Sequence, residues 1–122
     1  MWLFCGTVVG AGDSCDLNAP GATYKVPFTS LSMRSRYTRV IADPPYTTGF
    51  SQAWTTQQKH VPKPKDVLRV SARICQKGGL IFILHILVIP AYKELGVSRV
   101  ALHPVLCGPN NSIRVLNVFQ KL

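Results

Sequence analysis

The feature that most constrains the fold is an apolar run, Leu80–Ile89, whose ten residues include a single polar side chain, His85. A helix that crosses a bilayer needs about 20 apolar residues, so this run is too short to span a membrane. Nearly continuous apolar sequence is typical of a strand that is buried on both faces, as strands of parallel sheets are. The run therefore predicts a central strand of an α/β sheet.

Further elements can be placed on both sides of that strand. Turn residues separate short segments rich in β-branched and aromatic residues, which predict strands. These segments are Trp2–Cys5, Ala22–Val26, Tyr37–Ala42, Val97–Leu106 and Ile113–Phe119. Apolar residues at helical spacing predict a helix over Pro64–Gln76, with Pro64 in its first turn and Gly78 beyond its end. A shorter helix is expected at Pro90–Leu95, ended by Gly96.

The order of these elements defines the fold class. Strand Tyr37–Ala42, the long helix and Leu80–Ile89 form a β-α-β unit, and the loop around Gly108–Ser112 fits an antiparallel hairpin. We expect an open, mostly parallel α/β sheet with a C-terminal antiparallel hairpin and few helices. The connections Thr7–Gly12 and Thr29–Arg36 are too short or too broken for full crossover helices. One face of the sheet is then poorly covered, which predicts either a partner subunit over it or a marginal fold.

Length and composition limit the organisation of the chain. With 122 residues, 47% of them apolar, it can bury one core, so a single domain over residues 1–122 is expected. A formal net charge of +9 favours a polyanionic partner such as nucleic acid. The four cysteines form no CxxC pair, and no histidines stand at zinc-finger spacing, so no metal site is expected. The chain begins without a basic leader, which predicts an intracellular, cytoplasmic protein that does not contact membranes.

One short motif, Asp43-Pro44-Pro45-Tyr46, carries recognisable chemistry. It directly follows a predicted strand, and ligands of open α/β sheets bind beyond the carboxyl ends of strands. An amino group conjugated to an aromatic ring is a poor nucleophile unless its N–H bonds are accepted and its nitrogen becomes more tetrahedral. The Asp43 carboxylate and a carbonyl of the rigid Pro44-Pro45 backbone are suited to accept them, and Tyr46 is suited to stack on the ring of a base taken out of a helix.

The same motif also supports a family resemblance. Val40–Tyr46 resembles motif IV of the S-adenosylmethionine-dependent methyltransferases that act on exocyclic amino groups of adenine or cytosine. The Lys77-Gly78-Gly79 segment ahead of an apolar strand and the closing hairpin resemble further parts of that family. The resemblance implies a compact, Rossmann-like class I methyltransferase fold, S-adenosylmethionine as cofactor, and catalytic roles for Asp43, Pro44, Pro45 and Tyr46.

The resemblance also suggests residues that bind the methyl donor. The stretch after the first strand resembles the family's cofactor loop, and it contains Phe4, Cys5, Gly6, Gly10 and Gly12. Asp16, at the end of the expected second strand Ser14–Leu17, matches the acidic residue that binds the ribose hydroxyls. Phe28 lies in a stretch that resembles the one packing near the adenine. A plain glycine-rich turn and a surface turn acid are the alternative interpretations. Trp2 departs from the family, because many relatives carry an acidic residue there.

Acceptor binding is expected from the polar stretch after the motif. Phe50 and Trp54 are suited either to stack on nucleotides or to cover the core, and Lys59 is suited to contact phosphate. His85 is expected to be a buried core or strand-end histidine. The family resemblance therefore implies methyl transfer to adenine N6 or cytosine N4 of DNA, with a homo-oligomer or a separate recognition subunit as candidate assemblies. The alternatives are a catalytically weak or inactive module that binds nucleic acid or a protein partner, and an enzyme acting on RNA or on a protein side-chain amide.

Overall fold

The computed structural model describes residues 1–4, 12–17, 19–46, 61–107 and 112–122. These residues form a six-stranded sheet and one α-helix. The strands are β1 (Trp2–Leu3), β2 (Ser14–Cys15), β3 (Tyr37–Ala42), β4 (Cys75–His85), β5 (Val97–Cys107) and β6 (Ser112–Lys121). Helix α1 spans Pro64–Ile74, and two 3₁₀ turns occupy Phe28–Ser30 and Lys93–Leu95.

The sheet is mixed, with strand order β2-β1-β3-β4-β6-β5. Strands β2, β1, β3 and β4 pair in parallel, and β4, β6 and β5 pair antiparallel. The expected C-terminal hairpin is confirmed. The expectation of a mostly parallel sheet is only partly correct, because the hairpin strands are as long as β4 or nearly so and two of the five pairings are antiparallel.

Helix α1 forms where its apolar stripe predicts it. Pro64 stands at the start, where its missing N–H costs no hydrogen bond, and the buried face includes Val67, Leu68 and Ile74. Each fully buried aliphatic side chain contributes about 1.5–3 kcal/mol, so this face fixes the helix on the sheet. The helix ends at Ile74, two residues before the predicted end, because Cys75 adopts extended backbone and begins β4.

The central strand starts and ends earlier than its apolar run. It begins at Cys75 and makes an irregular step opposite Tyr37–Arg39 before regular pairing resumes at Leu80. Gly79 lies at this step, where an added Cβ would stand 2.8 Å from the Thr38 carbonyl oxygen. A side chain larger than hydrogen therefore cannot be accommodated there without movement.

At its other end the apolar run leaves the sheet after His85. The side chain of Asn117, which is fully buried on β6, accepts the Ile89 N–H at 2.9 Å and donates to the Leu87 carbonyl at 3.1 Å. Residues 86–88 are each about half exposed instead of buried. The prediction of a strand up to Ile89 was wrong because a buried amide on β6, adjacent to β4 in the sheet but distant in sequence, binds this segment.

Two further predicted elements are shorter in the structure. Ala22–Val26 is not a strand, and within it only Tyr24 bridges to Cys15. The predicted helix Pro90–Leu95 is a single 3₁₀ turn, Lys93–Leu95, followed by Gly96 with φ of 60°. Ser14 and Cys15 do form the predicted second strand, although it is only two residues long.

The two faces of the sheet differ in their cover. Beneath α1, Val40, Ala42, Ile81 and Ile83 are fully buried. On the opposite face Ile41 is 41% exposed, and in the described segments α1 covers one face only. A partner subunit over the second face stays a prediction. No helix among the described residues has the length and apolar character needed to cross a membrane.

Candidate active site

The candidate site lies at the carboxyl edge of the parallel strands. After β1 the chain moves to one side to form β2, and it then returns to the other side of β1 to form β3. Ligands of open α/β sheets bind at such a reversal of strand order. Phe4, Asp16 and Asp43 directly follow β1, β2 and β3, and His85 ends β4. Neighbouring strands are about 4.8 Å apart, so these four residues line one continuous edge.

Asp43 and Tyr46 are joined directly. The Tyr46 hydroxyl lies 2.6 Å from Asp43 Oδ1, to which it donates, and 3.1 Å from the Leu84 carbonyl oxygen. Pro44 between them is fully buried, whereas the Asp43 side chain is 43% exposed. The backbone N–H of Asp43 points to the Leu3 carbonyl at 3.5 Å, which links the motif to the end of β1. Asp43 thus presents a partly exposed carboxylate, whose orientation the tyrosine hydroxyl helps to hold.

Arg114, on β6, completes this constellation. Its Nη1 lies 3.8 Å from Asp43 Oδ1 and 3.4 Å from the Tyr46 hydroxyl oxygen, and its guanidinium lies over the Tyr46 ring at 4.9 Å. The Arg114 side chain is only 20% exposed. We call Asp43, Tyr46 and Arg114 the carboxyl-edge triad. Sequence reasoning missed Arg114, although a lone cation between the apolar residues Ile113 and Val115 was an available signal.

His85 packs against the same tyrosine. The two rings meet edge to face, with centroids 5.0 Å apart and an interplanar angle of 83°. Its Nδ1 accepts the backbone N–H of Leu87 at 3.0 Å. Burial lowers the pKa of His85 below its usual 6.5, and the nearby Asp43 charge opposes that shift. The expectation of a buried strand-end histidine is confirmed.

Of the residues predicted to bind the cofactor, Phe4 and Asp16 follow β1 and β2 at the same edge as Asp43, whereas Gly12 precedes β2 at the opposite edge. Phe4 and Phe28 pack with ring centroids 4.9 Å apart at an angle of 53°. Phe4 has φ of 60°, a left-handed conformation that costs an aromatic residue about 1–3 kcal/mol and is typical of functional sites. Asp16 is 5% exposed, so its interpretation as a surface turn acid is wrong. Gly12 is exposed with φ of 96°, a conformation that favours glycine.

The remaining predicted site residues lie outside the described part of the chain. They are Cys5, Gly6, Gly10, Phe50, Trp54 and Lys59. Their proposed contacts with donor and acceptor stay predictions, as do the roles of Asp43, Pro44, Pro45 and Tyr46 in catalysis. Among the described residues, no three His, Cys, Asp or Glu side chains are grouped so that they could hold a metal ion.

Comparison with known proteins reveals the fold. No family model matches the chain, and no curated protein matches it by sequence. Its structure is similar to an S-adenosylmethionine-dependent methyltransferase of Methanosarcina mazei, with a TM-score of 0.62 and 12% identity over 99% of this chain and 91% of that one.

Two further methyltransferases of known structure are similar over shorter parts of their length. The 1,6-didemethyltoxoflavin N1-methyltransferase of Burkholderia thailandensis, with 1,6-didemethyltoxoflavin and S-adenosylhomocysteine bound, has a TM-score of 0.59 and 11% identity over 89% of this chain and 60% of that one. The antibiotic-resistance methyltransferase Kmr has a TM-score of 0.51 and 13% identity over 80% and 59%. At such identities the likeness concerns the fold alone. The chain has the fold of S-adenosylmethionine-dependent methyltransferases.

Proposed function

We propose that the chain transfers a methyl group from S-adenosylmethionine to an exocyclic amino group of a DNA base, adenine N6 or cytosine N4. The observation that carries the proposal is the position of the Asp43–Tyr46 pair, directly after β3 at the reversal of strand order in a methyltransferase fold. The net charge of +9 supports a polyanionic substrate.

The residues at the ends of β1 and β2 are suited to an adenosine-containing donor. Phe4 and Phe28 form an apolar aromatic pair against which a nucleoside base can pack, and Asp16 supplies a carboxylate one strand away for ribose hydroxyls. The backbone strain at Phe4 supports a ligand site at this point. The bound donor would supply an electrophilic methyl group.

The chain's own residues would act on the acceptor. The Asp43 carboxylate and the Pro44 carbonyl would accept the two amino N–H bonds, which makes the nitrogen lone pair available for attack on the methyl carbon. Because Tyr46 donates to Oδ1, the other carboxylate oxygen is the natural acceptor for the amine. The catalytic gain would come from positioning the amine and from hydrogen bonds prepared in advance.

The direct test is incubation of the purified chain with methyl-labelled donor and unmethylated DNA, followed by nucleoside analysis. We expect N6-methyladenine or N4-methylcytosine, and no product from Asp43→Ala. Glu94→Gln serves as the control, because it removes an exposed carboxylate on the 3₁₀ turn before β5. Absence of methylated nucleosides, together with no donor binding at millimolar concentration in calorimetry, would contradict the proposal.

A non-catalytic binding module is the second candidate. Two observations favour it: Arg114 already pairs with Asp43, and the uncovered sheet face leaves Ile41 41% exposed, as a protein-contacting surface would. Retention of nucleic acid or of a protein partner without any methyl transfer would support the module over the enzyme.

A further inference from the structure

Arg114 contacts the same groups that the proposed function assigns to the acceptor. Its guanidinium is planar and delocalised, lies over the Tyr46 ring at 4.9 Å, and directs Nη1 toward Asp43 Oδ1 at 3.8 Å. A nucleobase with an exocyclic amino group has the same attributes: a flat π system that stacks on an aromatic ring, and N–H donors that a carboxylate accepts. The two groups would therefore compete for one face of the Tyr46 ring, and both would interact with the Asp43 carboxylate.

The position of Arg114 favours this competition. Its side chain is only 20% exposed, and His85 already packs against the Tyr46 ring in an edge-to-face arrangement. The hydroxyl end of the ring is held by Asp43 and the Leu84 carbonyl, so the ring cannot turn away without losing both contacts. A base that stacks on the face beneath the guanidinium can do so only after Arg114 has moved.

We propose that Arg114 is an internal occupant of the acceptor position, which a base must displace before its amino group reaches Asp43. This inference rests on the proposed function, because it takes that site to be the acceptor site. Arg114 would then lower the affinity for the acceptor. In the absence of substrate it pairs with the Asp43 carboxylate and covers one face of the Tyr46 ring.

The test measures nucleoside binding, with no methyl transfer involved. Deoxyadenosine and deoxycytidine, which carry exocyclic amines, are titrated by calorimetry into the wild-type chain and into Arg114→Met, a variant of similar length without charge. A cation–π contact and a half-buried ion pair are lost in the variant, so the nucleoside that binds should do so about fivefold more tightly. Arg114→Lys keeps the charge without the planar group and should give an intermediate affinity. Thymidine can stack but lacks the amine, so its affinity should increase less in Arg114→Met than that of the nucleosides that carry one.

The chain provides a matched control at the opposite edge of the sheet. There Arg36 lies over the Tyr37 ring at 5.6 Å and pairs with Asp13 at 3.6 Å, and the Tyr37 hydroxyl donates to that carboxylate at 2.6 Å. We call Asp13, Tyr37 and Arg36 the amino-edge triad. Arg36→Met removes the same charge and the same kind of stacking contact, and it should leave nucleoside affinity unchanged.

A second measurement monitors the Arg114 side chain directly by NMR. In the wild-type chain, addition of the nucleoside should move the NMR signal of the Arg114 Nε–H toward that of a free arginine, while the Arg36 signal stays in place. A purely structural role for Arg114 predicts no such shift.

Unchanged or weaker binding by Arg114→Met, or binding of neither nucleoside by any variant, would overturn the inference. S-adenosylhomocysteine is titrated into the same samples to separate this result from failure of the proposed function. Normal binding of that cofactor product with no effect of Arg114→Met overturns the inference alone, whereas loss of its binding in every sample contradicts the methyltransferase itself.

Discussion

The molecule contains the same three side-chain types in the same contacts at two opposite edges of its sheet. Each triad joins a tyrosine hydroxyl to a carboxylate at 2.6 Å, places an arginine over the tyrosine ring, and pairs that arginine with the carboxylate at 3.6–3.8 Å. The arginine is 57% exposed in the amino-edge triad and 20% exposed in the carboxyl-edge triad. Contact geometry alone therefore does not define a catalytic site.

Position in the fold separates the two triads. Asp13 precedes β2 and Tyr37 begins β3, so the amino-edge triad lies where strands enter the sheet. The carboxyl-edge triad follows β3 beside the reversal of strand order, where ligands of such sheets bind. We infer that the first triad stabilises the fold and the second serves a ligand.

Replacement of each triad's carboxylate by an amide should produce the largest difference in activity between the two triads. Asp43→Asn should lower methyl transfer at least about 100-fold, because the charged, preorganised acceptor for the amine is replaced by a weaker, neutral amide oxygen. Asp13→Asn should leave the rate unchanged but lower the free energy of unfolding by about 1–2 kcal/mol, since a charged hydrogen-bond acceptor is replaced. Steady-state kinetics and denaturant unfolding of both variants measure this. Equal losses of activity in the two would contradict the assignment.

Removal of the tyrosine hydroxyls should produce a smaller difference. Tyr46→Phe frees the Asp43 carboxylate from one contact and should lower the rate about tenfold while the ring still stacks. Tyr37→Phe should cost about 1 kcal/mol of stability and leave the rate intact. If Tyr37→Phe slowed methyl transfer as much as Tyr46→Phe, the amino edge would be part of the active site.

The smallest expected effect is on the pH dependence of the free energy of unfolding. Tyr37 of the amino-edge triad should affect it at high pH, and His85, beside the carboxyl-edge triad, at low pH. Burial and the hydrogen bond to Asp13 raise the pKa of Tyr37 above its usual 10, so the folded chain keeps a proton that the unfolded chain releases. Stability from this group is complete below pH 10 and falls as the pH rises further. Burial lowers the pKa of His85 below 6.5, so the unfolded chain binds the extra proton first. Stability is then lost as the pH falls below about 6.5.

Chemical denaturation at a series of pH values measures both the alkaline and the acid loss of stability. Tyr37→Phe should remove part of the alkaline loss, and His85→Gln should remove part of the loss on the acid side. An alkaline limb that is unchanged in Tyr37→Phe would show that its hydroxyl is not held by Asp13 as described.

Sequence reasoning succeeded where the determinants are local. The bounds of β3 and the position of Asp43 directly after it follow from a short β-branched segment and a Pro-Pro turn. It failed where a contact or a strand end depends on residues that are distant in sequence. Arg114 reaches Tyr46 across 68 positions of sequence, through the register of β6 on β4, which no local pattern contains. The end of β4 depends in the same way on Asn117.

The short strands near the N-terminus have a similar explanation. Ala22–Val26 has the composition of a strand, but its neighbour β2 is only two residues long and offers Tyr24 a single bridge. Strand propensity expresses packing against neighbours more than an intrinsic preference. A segment with so little to pair with does not extend into a strand.

The central claim is that the methyl donor binds at the carboxyl edge, next to Asp43. The most direct measurement is an NMR titration of the labelled chain with S-adenosylhomocysteine. The account predicts chemical-shift changes concentrated at Phe4, Asp16, Phe28 and Asp43, with Arg36 and Tyr37 unaffected. Changes confined to the amino edge, or no changes at millimolar ligand, would contradict it.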